Sequence, residues 1–95
     1  MNLLDAQAMH LVNPLSFEVP SQAELREVEP GWYVKLGFPT GDRNIKIERM
    51  WVLVTERTPT GGRGELNNDP VLCNLECGTI IEYEDRHVLS IMRGD

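Results

Sequence analysis

Cysteine is nearly missing from this chain. Cys73 and Cys77 are the only two in 95 residues. With no export signal beside them, free thiols in a reducing compartment are the expectation rather than a disulfide framework. Positive charge is scarce as well: 9 Lys and Arg face 15 Asp and Glu, for a net charge of −6. Phosphate-rich surfaces are held by clustered Lys and Arg, so the shortage argues against broad binding of nucleic acid or an anionic membrane. Long apolar runs are missing too. None approaches the roughly 20 residues of a membrane-spanning helix, so no membrane partner is expected. Met1 to His10 has neither a basic region nor a cleavage signal, from which a cytoplasmic location is expected. Internal repeats, low-complexity tracts and a dividing linker are all lacking.

What remains is globular in composition, with 41% apolar and 25% charged residues; that excludes a disordered chain. At this size the chain buries only roughly two-thirds of its unfolded surface, enough for one core. The expected organisation is an N-terminal arm or short helix over residues 1–14, then one small β-barrel domain over residues 15–95.

The stretch from Gly31 to Thr55 organises the rest. Trp32, Val34, Leu36 and Phe38 alternate with Tyr33, Lys35 and Gly37, which predicts a strand with one apolar face. Ile45 to Arg57 is the second and longest strand. Met50, Val52 and Val54 alternate there with Trp51, Leu53 and Thr55, so both faces are apolar near the middle. A strand covered on both sides fits a strongly curved sheet. The Met50 face is read as core, which leaves Trp51 either capped by the N-terminal segment or half exposed.

Around this pair the elements are short. Leu3, Leu4, Ala8, Leu11 and Val12 have helical spacing. Asn13-Pro14 ends any helix there. Leu15, Phe17 and Val19 alternate with Ser16 and Glu18 as an extended segment. Ser21 and Glu24 have the spacing of a capping box, which starts a short helix from about Gln22 to Val28. Thr58 to Gly62 reads as a hairpin turn whose glycines permit it, and Arg63 to Leu66 as the return strand. Asn67 to Pro70 is a turn and Val71 to Leu75 a short extended piece. Thr79 to Glu84 is a strand, Asp85-Arg86-His87 one turn of 3₁₀ helix, and Val88 to Met92 the last strand. The fold expected is mostly β, α+β at the margin: a small, partly open barrel of about five strands with one short N-terminal helix.

The pieces Gly31-Trp32-Tyr33-Val34-Lys35-Leu36-Gly37-Phe38, then Glu48-Arg49-Met50-Trp51-Val52-Leu53-Val54, then Gly64-Glu65-Leu66-Asn67-Asn68-Asp69-Pro70 resemble a bacterial family in their order. Phe17-Glu18-Val19-Pro20-Ser21 and Gly78-Thr79-Ile80-Ile81-Glu82-Tyr83 extend the match over residues 15 to 92. The family is the YegJ-like domains, catalogued as domain of unknown function 2314. The resemblance implies a small β-rich module of SH3-like topology and no particular activity. Related small barrels occur among bacterial immunity proteins that neutralise toxins, which raises that class by analogy.

Three constellations could carry chemistry. Cys73 and Cys77 stand four apart, with His10 and His87 as distant completions of a metal site. A structural zinc site wants two ligand pairs, and the second is missing. Cys73 or Cys77 with His87 and Asp85 could instead form a nucleophile with its base. No oxyanion or nucleophile-elbow pattern accompanies them. Glu82 and Glu84 share a strand face opposite Ile81 and Tyr83, a solvated face or an acidic docking face. Trp32, Tyr33, Trp51 and Tyr83 form the third constellation, either material for the core or interface anchors, with Tyr33 and Trp51 beside Lys35 the ones expected at an interface. Gly61-Gly62-Arg63-Gly64 lacks the following helix of a phosphate loop.

The expected function is therefore a non-catalytic protein-interaction module, of immunity type. The partner-binding residues would be Tyr33, Lys35, Trp51, Glu82 and Glu84, with no cofactor. The alternative is a small enzyme or metal or redox protein built on Cys73, Cys77 and His87. A nucleic-acid-binding barrel ranks third and needs Lys35, Arg43, Lys46 and Arg49 on one face. The chain is expected as a monomer or a weak homodimer, paired through an edge such as Leu15 to Val19 or Val88 to Met92.

Overall fold

The computed structural model describes residues 2–94. Five antiparallel strands form one open sheet in the order β4-β3-β2-β1-β5. They are β1 (Tyr33–Pro39), β2 (Ile47–Thr58), β3 (Gly61–Leu66), β4 (Ile80–Glu84) and β5 (Ser90–Met92). Helix α1 spans Ala6–Val12 and α2 spans Gln22–Glu27. A 3₁₀ turn at Asp85–His87 returns the chain from β4 toward β5.

The alternation of β1 and β2 places their apolar sets on one face. Val34, Leu36, Phe38 and Val52 are fully buried, with Trp32, Met50 and Val54 nearly so. Leu25 from α2, Val28, Leu66, Ile81, Tyr83 and Val88 complete the core. Each such side chain stabilises the fold by about 1.5–3 kcal/mol relative to leaving it in water.

Helix α2 begins as its sequence dictates. The Ser21 hydroxyl accepts from the Glu24 N–H at 3.1 Å, and the Glu24 carboxylate accepts from the Ser21 N–H at 3.0 Å. After it, Gly31 takes φ +96°, a left-handed conformation that glycine adopts without a Cβ clash, and turns the chain into β1.

The N-terminal arm is anchored. The Leu4 N–H donates to the Gly37 carbonyl at 2.9 Å, and Ala6 is fully buried. Asp5 caps α1 by accepting from the Ala8 N–H at 2.9 Å. It also pairs with Arg86 at 2.8 Å. The amphipathic reading of this helix holds only in part: Leu11 and Val12 stand 81% and 75% exposed.

Two segments differ from the sequence expectation. Leu15 to Val19 forms no strand. The Asn13 carbonyl accepts from the N–H groups of Ser16 and Phe17, which coils the chain past α1 before it can extend. It therefore offers no edge for a dimer. Val71 to Asn74 bends around the Glu48 carboxylate rather than extending.

The hairpin turn also sits one step earlier than its glycines suggest. It is Pro59-Thr60, and Gly61 and Gly62 already belong to β3. Neither has a positive φ. Their role is space. A Cβ on Gly64 would lie 2.2 Å from the Leu53 carbonyl oxygen, and one on Gly62 would lie 2.7 Å from the Tyr83 hydroxyl.

Candidate functional site

The face of the sheet turned away from the core carries the surplus aromatics. Strand pairing sets its rows. Met92 lies opposite Tyr33, Tyr33 opposite Leu53, Leu53 opposite Glu65 and Glu65 opposite Ile80. The next row runs Ser90, Lys35, Trp51. A row on the other side runs Glu56, Arg63, Glu82.

Tyr33, Lys35, Trp51 and Leu53 are half-buried, while Met92 is 44% and Ile80 57% exposed. The Lys35 ammonium lies 4.8 Å from the centre of the Trp51 ring, close enough for a cation–π attraction. The Trp51 backbone N–H donates to the Asn68 side-chain oxygen. Leu4 of the N-terminal arm sits against Gly37, which pairs with Arg49 and not with Trp51, and Trp51 keeps its partial exposure.

The five residues singled out by the sequence thus share one face. Tyr33, Lys35 and Trp51 are neighbours; Glu82 and Glu84 stand on β4, three strands away from β1. Arg63 lies between the groups and pairs with Glu82 at 3.0 Å and with Glu56 at 3.5 Å. Leu53, Ile80 and Met92 belong to the same surface and were not singled out. The alternation of β2 already put Leu53 beside Trp51. Ile80 and Met92 needed the strand register, which local spacing does not encode.

Charge is divided along this face. Lys35 and Arg49 line a small groove of about 200 Å³ with Phe17, Glu18 and Ser90. Carboxylates dominate the β3–β4 side, where Glu65 pairs with no cation among the described residues.

A second concavity of about 610 Å³ opens where the β2–β3 hairpin meets the 3₁₀ turn, and Leu3, Arg63, Tyr83, Glu84, Arg86 and His87 are among its lining. The Tyr83 hydroxyl is buried and has no hydrogen-bond partner among the described residues. Burial raises its pKa, and the nearby Arg57 guanidinium partly offsets that. Arg57 is itself engaged elsewhere, donating to the Gly61 carbonyl, to Asp85 at 3.1 Å and to the Leu25 carbonyl at 3.1 Å.

His87 is 9% exposed, and its Nδ1 accepts from the Glu84 N–H at 3.0 Å. That bond assigns the neutral ring its proton at Nε2. Burial first, then the Arg86 charge, lowers its pKa from 6.5.

The thiols sit apart from this cleft, whose lining contains neither. Cys73 donates to the Pro39 carbonyl at 3.4 Å. Burial, then the Glu48 carboxylate, pushes its pKa up to about 11, so it is a thiol and not a nucleophilic thiolate at neutral pH. Cys77 is exposed. Among the described residues no three His, Cys, Asp or Glu side chains are grouped to hold a metal ion. Among the described residues no helix is long and apolar enough to cross a membrane.

Glu48 has a structural task. Its carboxylate accepts from the N–H groups of Val71 at 2.8 Å, Leu72 at 3.0 Å and Cys73 at 3.0 Å. The Val71 N–H, ahead of the other two, holds its pKa below the usual range.

Compared with family models, with curated proteins and with solved structures, the chain gives no match.

Proposed function

We propose that this chain is a non-catalytic protein-interaction module of the bacterial cytoplasm, of immunity type, and that the outer face of the sheet is its docking surface. One observation carries the reading. The row Met92, Tyr33, Leu53, Glu65, Ile80, with Lys35 and Trp51 beside it, is an apolar and aromatic surface left partly open and rimmed by carboxylates. A Trp and a Tyr on a rigid antiparallel sheet offer large contact area at small entropic cost, which is the chemistry of an interface centre. The surrounding charges would steer and orient a partner.

The meander of four strands, followed by a 3₁₀ turn and a fifth strand returned beside β1, supports the SH3-like reading of the topology. The resemblance to the YegJ-like domains agrees with such a module and supplies no activity. The separation of Cys73 and Cys77 from the His87 cleft favours this reading over an enzyme.

Affinity capture from the source organism tests it. A partner retained by the wild type and by Glu27→Gln on α2, and lost with Trp51→Ala, is the expected outcome. Equal capture by Trp51→Ala would overturn the assignment of this face.

A further inference from the structure

Strand β4 ends the sheet, and its backbone is turned outward at two positions. The Leu66 N–H donates to the Thr79 carbonyl at 2.9 Å, and the Asp85 N–H donates to the Thr60 carbonyl at 2.8 Å. In an antiparallel ladder, residues alternate between bonding the neighbour and facing away. Thr79, Ile81, Tyr83 and Asp85 therefore face β3, and Ile80, Glu82 and Glu84 turn their N–H groups to the other side. His87 Nδ1 takes the Glu84 N–H. Among the described residues, Ile80 and Glu82 are left with unpaired backbone donors and acceptors on an exposed edge.

Sheets usually blunt such edges with charged side chains, lysine above all, or with proline, a bulge or a covering segment, and the carboxylates of Glu82 and Glu84 guard this one only against acidic strands. Here the edge has no proline and no lysine, and β4 pairs with β3 in continuous register from Ile80 to Glu84. Its outward side chains are Ile80, 57% exposed, then Glu82 and Glu84.

We infer that the open edge of β4 takes an extended, basic segment of a partner protein as a sixth strand. This rests on the reading of the chain as an interaction module and gives it a mode: main-chain hydrogen bonds to Ile80 and Glu82 supply affinity, and side chains supply choice. Charge selects the occupant. A second copy pairing antiparallel about Glu82 would set Glu82 directly against Glu82, and like charges directly opposite are destabilising. A lysine or arginine at that position meets a carboxylate instead. Arg63 is shared between Glu56 and Glu82, and Glu65 has no cation partner among the described residues, so the neighbourhood still favours added positive charge.

The test uses the full chain and a peptide alternating lysine and valine, with an alternating glutamate–valine peptide as comparison. Backbone amide spectra and hydrogen exchange are recorded at low ionic strength. The lysine peptide should shift the Ile80 and Glu82 amides and slow their exchange, and the glutamate peptide should not. Glu82→Pro removes the outward N–H without breaking a bond to β3, a substitution that an edge strand accommodates. It should weaken the lysine peptide at least about tenfold, or ~1.4 kcal/mol. Glu82→Gln keeps the N–H and should retain the peptide with a weaker response to salt.

Shifts confined to Tyr33, Lys35 and Trp51, equal binding of the glutamate peptide, or no change at Ile80 and Glu82 would overturn the inference. So would protection of these two amides by self-association of the chain alone. The wild-type amide map decides without any variant that might fail to fold. Failure of the outer-face assignment would appear in the Trp51→Ala capture and not in these amide signals, so the two outcomes are separable.

Discussion

Lys35 and Trp51 lie directly opposite each other on β1 and β2, and the lysine ammonium covers the indole ring at 4.8 Å. A surface tryptophan is thereby half-shielded by a charge that can be displaced.

Lys35→Ala should uncover this ring. The expected cost is about 0.5–1 kcal/mol, the size of an exposed cation–π contact. Trp51 emission should shift to longer wavelength while Trp32, at 9% exposure, contributes an unchanged signal. Urea unfolding followed by fluorescence reads both. An unchanged spectrum would mean that Lys35 does not shield Trp51 in solution.

Glu48→Ala should release the segment from Val71 to Cys73. Three backbone N–H groups lose a charged acceptor, and a loss of about 2 kcal/mol is expected, because the loop can recover part of its hydrogen bonding from water. The folded pKa of Glu48 is lowered from 4.5, so its stabilisation is present above that pH and is lost as the pH falls below it. The thiols report the same event. In the wild type, iodoacetamide should modify Cys77 and spare Cys73; in Glu48→Ala the Cys73 reaction should quicken, since the carboxylate no longer disfavours the thiolate. Equal rates for the two thiols in the wild type would contradict the Cys73 environment.

His87 gives a second pH signature. Its folded pKa lies below the ordinary 6.5, so the unfolded chain binds the extra proton more readily. Stability should be full above about pH 6.5 and should fall as the pH drops below it. The ring is faced by Arg86, Glu84 and Asp5, and protonating Nδ1 would set an N–H against the Glu84 N–H. Thermal unfolding across pH 7.5 to 5 should slope less in His87→Gln, which keeps an acceptor and does not titrate. A slope identical to wild type would assign the loss to other groups.

Much of the fold is legible where one local rule decides. The period-two pattern of Trp32 to Phe38 and Met50 to Val54 fixes a buried face, and the Ser21–Glu24 spacing fixes the start of α2. The 3₁₀ turn at Asp85–His87 is equally local. Alternation failed at Leu15 to Val19, where hydrogen bonds to Asn13 pull the backbone into a turn. Nothing local marks the role of Glu48, because its partners lie more than twenty residues onward. The candidate surface was legible as a face, through Tyr33, Lys35 and Trp51. Its extension to Ile80 and Met92, and the outward backbone of β4, depend on the register between strands distant in sequence.

Strand β3 has three glycines in six residues. The close fit of β3 against its neighbours therefore depends on side chains that are missing. A carbon added at position 62 would press on Tyr83 beneath the cleft, and one at position 64 would press on the backbone of β2. The cleft therefore cannot be refilled at positions 62 and 64 without moving the sheet. Change in what it admits has to come through the side chains that already line it, Arg63 on β3 and those of β2, β4, the 3₁₀ turn and the N-terminal arm.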